Sequence, residues 1–113
     1  MKTQTETDLV RQCLDWLALH GVFCWRQNSG AARYGPRYVR FHSEPGMTDI
    51  VGVLPLSGRI VCIEAKIRGA RTERKRRLEQ ESFQQRIRSS GGVALVVHDL
   101  DELIDALRKE GVG

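Results

Sequence analysis

The chain has 113 residues, which suffices for one domain with a single core, so we expect one domain over residues 1–113. Hydrophobic residues make up 41% and charged residues 28%, values ordinary for a soluble globular protein. No apolar run could span a membrane and the polar N-terminus does not resemble a signal peptide, which predicts a cytoplasmic protein. Cys13, Cys24 and Cys62 lack metal-binding spacing and are expected to be small core residues in a reducing compartment.

The positive charge of the chain is clustered. The net charge is +4, but four arginines and no acid lie between Arg26 and Arg40. Between Lys66 and Arg77 there are seven cations and a single acid, Glu73. Clustered cations on a modest net charge indicate a polyanionic partner, nucleic acid first.

The predicted elements begin with an amphipathic helix over residues 4 to 20, whose apolar residues recur at three- and four-residue spacing. Thr3 and Glu6 have the spacing of a capping box at its start, and Gly21 closes it. Residues 22 to 26 are aromatic and β-branched, which predicts a strand. The following segment is rich in glycine and proline and contains a predicted edge strand over residues 37 to 41.

Two further strands are predicted over residues 49 to 54 and 59 to 66, joined as a hairpin by the sequence PLSG. A helix over residues 72 to 89, a buried strand over 93 to 97 and a closing helix over 99 to 111 complete the chain. Because the last strand follows a helical crossover, it can lie parallel to an earlier one. The sequence therefore predicts an α/β fold, a central mixed sheet flanked by helices in the order α-β-β-β-α-β-α.

Charged residues end both strands of the predicted hairpin. If Leu54 and Arg59 close the connection, Asp49 falls directly opposite Glu64, and strand alternation places Lys66 on the same face as Glu64. Two close carboxylates repel unless a cation or a proton lies between them, and Mg²⁺ suits such a pair. A surface salt bridge, a structural ion site and a catalytic site with a lysine partner all fit this pattern, and phosphodiester hydrolysis is the chemistry that uses all three groups.

The order of motifs along nearly the whole chain resembles a known family. GMTDIVGVLP followed by RIVCIEAK is similar to the PD-(D/E)XK nuclease signature. An N-terminal Glu6, the stretch RQNSG at residues 26 to 30, Gln80 to Phe83, and a Gly-Gly before VALVV resemble the VRR-NUC branch, the virus-type replication-repair nucleases. The resemblance implies a restriction-endonuclease-like core in a bacterial or virus-infected cell.

Carried over by position, the resemblance implies that Asp49 and Glu64 hold a divalent metal, with the Ala65 carbonyl as a further ligand. It implies Mg²⁺ as cofactor, with Mn²⁺ able to substitute, and Lys66 positioning or activating the attacking water. Two positions depart from the family pattern: Thr48 replaces the usual proline before the aspartate, and the sequence Arg-Arg-Leu replaces the small residue and proline expected before the glutamine helix.

The resemblance gives Gln80 and Glu6 catalytic roles, and each has a structural alternative. Gln80 shares a helical face with Phe83, so it points toward the sheet and needs a buried polar partner; it orients a catalytic group or bonds to backbone. Gln84, one turn later, is a possible substitute. Glu6 is either a metal-linked carboxylate or the acidic member of the capping box.

The basic residues are predicted to bind the DNA backbone, because cations beside a phosphodiesterase motif most readily contact phosphates. A first set begins at the end of the second element and includes arginines interleaved with aromatic residues, which suits stacking on unpaired bases: Arg26, Arg33, Arg37 and Arg40. The family resemblance adds the neutral Asn28 to this set, with a simple turn at Asn28 and Gly30 as the alternative. A second set follows the predicted active-site strand: Arg68, Arg71, Arg74, Lys75, Arg76 and Arg77.

These features predict a metal-dependent DNA endonuclease that recognises structure rather than sequence, because no base-reading module is visible. The resemblance implies a Holliday-junction resolvase acting on branched or four-way DNA as a homodimer, since symmetric cutting needs two sites. A nicking or restriction-like endonuclease is an enzymatic alternative. A non-catalytic nucleic-acid binding module is the alternative from another class, although a binder would not need Asp49, Glu64 and Lys66 together.

Overall fold

The computed structural model describes residues 4–27, 31–34, 37–40 and 44–113, with side chains described for 4–27 and 44–113. Its three helices are α1 (Glu6–Leu19), α2 (Arg74–Ser89) and α3 (Leu100–Lys109). Its strands are β1 (Phe23–Arg26), β2 (Ala31–Tyr34), β3 (Arg37–Arg40), β4 (Ile50–Val53), β5 (Ile60–Ala65) and β6 (Val93–Val97). The predicted elements are all present, and β2 is an additional strand.

The central sheet has the strand order β1-β4-β5-β6. β4 pairs antiparallel with β1 and with β5, whereas β6 pairs parallel with β5 after the α2 crossover. The predicted mixed sheet and the order α-β-β-β-α-β-α are therefore confirmed for the elements of this sheet. β3, which corresponds to the predicted edge strand, pairs antiparallel with β2 in a separate two-stranded sheet.

Alternating side chains of β5 divide the hydrophobic core between two faces of the sheet. Val61, Ile63 and Ala65 belong to the larger cluster, together with buried residues of α1 and α3. Cys62 belongs to the smaller cluster, with Phe83 of α2. Even-numbered residues at the end of β5 therefore lie on the α2 face, where they meet a helix whose exposed side is strongly basic.

Two helix starts are fixed by side-chain caps. The hydroxyl of Thr5 accepts a hydrogen bond from the Asp8 amide (3.1 Å), and the Asp8 carboxylate accepts from the Thr5 amide (3.0 Å). Thr3 lies outside the described residues, but the predicted capping role of Glu6 is wrong, because Thr5 and Asp8 form the box and Glu6 is the first helical residue. α3 begins after Asp99, whose carboxylate accepts from the Glu102 amide (2.8 Å), whereas α2 begins after Glu73 without a side-chain cap.

The three cysteines are free thiols, and the prediction that they are core residues holds for two of them. Cys13 and Cys62 are fully buried, while Cys24 is half-buried. Burial raises the pKa of all three thiols, that of Cys13 to about 11.

Among the described residues, no helix has the length and apolarity needed to cross a membrane.

Candidate active site

The β4–β5 hairpin brings the two predicted carboxylates together. The Leu54 amide donates to the Arg59 carbonyl (2.9 Å), which is the predicted closing pair of the hairpin. At the other end, the Asp49 amide donates to Glu64 Oε2 (3.2 Å), and the Ala65 amide donates to Asp49 Oδ2 (2.8 Å). Each carboxylate is thus anchored by a backbone N–H of the opposite strand, and the predicted register is confirmed.

Glu64 is only 4% exposed, which is unusual for a carboxylic acid. Its pKa is raised to about 8, first by burial and then by the negative charge and hydrogen bonding of Asp49, while the ammonium of Lys66 opposes the rise. Near neutral pH the pair therefore accommodates one proton or a bound cation more readily than two bare negative charges. The two carboxylates are therefore a site where a proton or a cation would relieve electrostatic repulsion.

A chain of hydrogen bonds links Glu64 to the predicted catalytic lysine. Gln80 Nε2 donates to Glu64 Oε1 (3.0 Å), and Lys66 Nζ donates to Gln80 Oε1 (2.8 Å). A second Lys66 Nζ–H is accepted by the hydroxyl of Thr72 (2.8 Å). Gln80 is 5% exposed and bridges a carboxylate and an ammonium, so the alternative in which it bonds to backbone is wrong.

Thr72 is part of this network and was not predicted from the sequence. It lies in the connection between β5 and α2, one residue before the N-cap Glu73 and two before the first helical residue, Arg74. Its hydroxyl accepts from Lys66 at the other end of this connection, a contact that no sequence motif indicated.

Gly46 holds α2 against the segment that leads into Asp49. Its φ is +78°, and a Cβ at this position would lie 2.1 Å from the Glu79 carbonyl oxygen of α2. No residue with a side chain fits such a contact without backbone movement. The Gly-x-x-Asp motif therefore has a physical basis, because this close approach sets Gln80 beside the carboxylates.

Thr48, which stands where the signature that the sequence resembles has a proline, is buried, at 2% exposure. Its hydroxyl donates to the Ile50 carbonyl (3.0 Å), so the polar group is satisfied locally. The threonine is therefore accommodated beside Asp49 without an unpaired buried group.

Two clefts open on either side of the lysine and share part of their walls. The first, of about 250 Å³, contains the carboxylate side of the site. The second, a groove of about 700 Å³, lies on the other side. Both are lined by Lys66, Ala70, Arg71, Thr72 and Gln80.

The first cleft also gathers predicted residues from distant parts of the chain. Glu6, exposed at the start of α1, lines this cleft together with Glu64 and Arg76. Among the described residues, no side-chain hydrogen bond involves the Glu6 carboxylate. The structure thus places Glu6 at the cleft without a hydrogen bond to the network of Glu64, Gln80 and Lys66.

The remaining predicted DNA-binding residues fall into different regions. Arg77 lines the 700 Å³ groove, and Arg26 ends β1, where the next amide, that of Gln27, donates to the Asp49 carbonyl (2.7 Å). Arg68 forms ion pairs with α3, to Asp99 (2.9 Å) and Glu102 (3.6 Å).

Two members of the basic run lie at the start of α2. Arg74 is its exposed first residue, and Lys75 lines a separate cavity with Glu44 and Pro45. Asn28 lies outside the described residues, as do the side chains of Arg33, Arg37 and Arg40. The roles of all these residues in binding DNA stay predictions.

The site offers few oxygen ligands for a metal ion. In the part of the chain with described side chains, no three His, Cys, Asp or Glu residues cluster closely enough to hold a metal ion by themselves. Asp49 and Glu64 are nevertheless a fitting donor pair for Mg²⁺, which binds one or two carboxylates, keeps several waters and is completed by substrate phosphate.

The chain matches no protein-family model, and a search of the curated proteins finds no match.

Proposed function

We propose that the protein is a Mg²⁺-dependent, structure-selective DNA endonuclease that hydrolyses phosphodiester bonds. The observation that carries the proposal is the continuous network from Asp49 through Glu64 and Gln80 to Lys66, at a cleft lined by arginines. A structural salt bridge would join the acid and the base directly. Here a glutamine separates them, which leaves the carboxylates for a cation and the ammonium for a substrate.

The two carboxylates would hold the divalent ion, with the Ala65 carbonyl as the further ligand that the family resemblance implies. When bound, Mg²⁺ or Mn²⁺ would supply charge neutralisation at the phosphate and a lower pKa for an attacking water. The chemistry of the pair supports this assignment, because burial and the nearby charge of Asp49 raise the pKa of Glu64, and a divalent cation would offset the repulsion between the two carboxylates.

Lys66 has the geometry of a group that positions water or phosphate. An ammonium has three N–H donors, and the side chains of Gln80 and Thr72 accept two of them. The third is available to the attacking water or to a phosphate oxygen. Two fixed bonds also remove most of the side chain's rotational freedom, and such preorganisation supports catalysis.

The neighbouring cations support a nucleic-acid substrate. Arg71, Arg76 and Arg77 line the two clefts around the site, where they can pair with backbone phosphates on both sides of the bond to be cut. Contacts to phosphates carry shape rather than sequence information. We therefore propose branched or four-way DNA as substrate, with a homodimer supplying the two sites that symmetric cutting of a junction requires.

The proposal is tested by incubating the protein with Mg²⁺ or Mn²⁺ and a panel of four-way, flap, bubble and linear DNA. Asp49→Asn and Glu64→Gln should abolish cutting while binding is kept, and Asp105→Asn, an exposed change on α3, should cut like the unchanged protein. Tight binding without cutting under either metal would favour a binding module. Cutting of linear duplex at one sequence would favour a restriction-like enzyme.

A further inference from the structure

Gln84 is a buried polar residue that the proposed chemistry does not use. It lies one turn after Gln80 on α2 and is 7% exposed. Gln80 has a carboxylate and an ammonium as partners, whereas the side chain of Gln84 has no hydrogen-bond partner among the described residues. Its amide is therefore available to hydrogen-bond water or a ligand.

Gln84 lines the groove of about 700 Å³ on the far side of Lys66. No side-chain nitrogen or oxygen of the described residues is both cut off from water and unpartnered, so the amide of Gln84 meets water in this groove. The groove has the size of a typical small-molecule site, for which about 300–1,000 Å³ is usual.

The lining of the groove combines three kinds of surface. Ala70 and Val96 supply apolar contact, and the amide of Gln84 supplies both donors and an acceptor. Lys66, Arg71 and Arg77 supply positive charge that exceeds the single negative charge of Glu81. A phosphate needs only the cations. A nucleotide needs all three: apolar contact for the faces of the base, hydrogen bonds for its edge and cations for its phosphates.

We propose that this groove binds a single unpaired nucleotide of the DNA strand next to the bond that is cut. The inference rests on the proposed nuclease function and specifies its substrate. The nucleotide is adjacent to the cut because the groove and the catalytic cleft share Lys66, Thr72 and Gln80 as a wall. It is unpaired because Gln84 is only 7% exposed in the groove, where a base held in the duplex stack cannot reach it.

Base preference follows from the side chain that meets the base. A glutamine amide can donate and accept at once, and adenine offers a matching acceptor and amino donor. We expect the protein to cut most efficiently where the extruded nucleotide is adenine. The selectivity for branched DNA then has a local cause, since branch points contain nucleotides that are already unstacked.

The test combines a change in the protein with a change in the DNA. Gln84→Met keeps the size of the side chain and removes its hydrogen bonds; Gln85→Met, at the exposed neighbouring position, is the matched control. Each protein cuts a branched substrate that carries either adenine or an abasic residue beside the cut. With adenine, Gln84→Met should lose about 5-fold or more in kcat/KM, mostly in KM. With the abasic residue, it should equal the unchanged protein and Gln85→Met.

A binding measurement gives a second readout. With 2-aminopurine beside the cut and the non-cutting Asp49→Asn protein, fluorescence should rise on binding because the base leaves the stack, and Gln84→Met should weaken this rise. Equal losses on the adenine and abasic substrates, or no rise in fluorescence, would overturn the nucleotide site while cutting persists. A protein that neither binds nor cuts any DNA would overturn the nuclease proposal itself.

Discussion

Replacing Glu64 with glutamine should remove the loss of stability that the titration of Glu64 causes as pH rises in the metal-free protein. The Glu64 pKa is raised from 4.5 to about 8, chiefly by burial and by Asp49. Between these two values the folded state keeps a proton that the unfolded state has lost. The free energy of unfolding therefore falls as pH rises through this window, and the stability is present in full below it.

The size of the effect follows from the same pKa. At about 1.4 kcal/mol per pH unit, a rise from 4.5 to about 8 sets a ceiling of roughly 5 kcal/mol. Because Asp49 is half-buried and reaches water, we expect about 2 to 3 kcal/mol between pH 5 and 8. Glu64→Gln keeps the acceptor for Gln80 but sets an N–H against the Asp49 amide, which costs about 1 kcal/mol at every pH. The variant should be less stable than the unchanged protein at pH 5 and more stable at pH 8.

Urea denaturation in EDTA at pH 5, 6, 7 and 8 measures this crossover, with Glu81→Gln as the control at an exposed carboxylate. Titrations that the variant and the unchanged protein share cancel in the difference between their unfolding free energies. A difference that is constant from pH 5 to 8 would refute the reasoning, because it would mean that Glu64 ionises in the folded state as in the unfolded state.

Three further predictions concern the rest of the site. Thr72→Val removes one acceptor of Lys66 and should lower kcat about 5- to 10-fold with KM unchanged. Thr72→Ser keeps the hydroxyl and should keep the kcat of the unchanged protein. Equal kcat for the unchanged protein and both variants would contradict this. Calorimetry should show that the affinity for Mn²⁺ rises from pH 6 to 8, and a comparison of two buffers should show that binding releases protons. Both the pH dependence and the proton release should be lost in Glu64→Gln. Binding of Mn²⁺ that does not depend on pH would contradict this prediction. Gly46→Ala should lower the free energy of unfolding, measured in urea, by about 2–5 kcal/mol. Gly69 is the control, because it has φ +82° but lies in open space, and Gly69→Ala should cost about 1–2 kcal/mol. Equal costs would contradict the close contact between Gly46 and α2.

The hairpin and its carboxylates could be predicted because their determinants are local. Turn residues between two apolar runs fix which residues face each other, and a shift by one position would invert the buried face. Asp49 opposite Glu64 follows from that register alone. The parallel placement of β6 was predictable in the same way, since a helical crossover favours it.

Other features depend on contacts that no spacing shows. Two threonines near the N-terminus each precede an acid at capping distance, and spacing could not choose Thr5 over Thr3. The bond from Lys66 to Thr72 depends on the path of a loop. That Gln84 has no side-chain partner among the described residues depends on how α2 packs on the sheet. Metal binding and DNA cleavage remain predictions to be measured.

The reciprocal anchoring of the two carboxylates makes site assembly inseparable from folding. The amide of Asp49 bonds to Glu64, and Asp49 in turn accepts from the amide of Ala65, so the geometry of the site is a property of the strand pairing. A slipped hairpin would lose these bonds and expose the apolar face of β5 at once. Protection of these two amides from hydrogen exchange would therefore report an intact site in any variant, before metal or DNA is added.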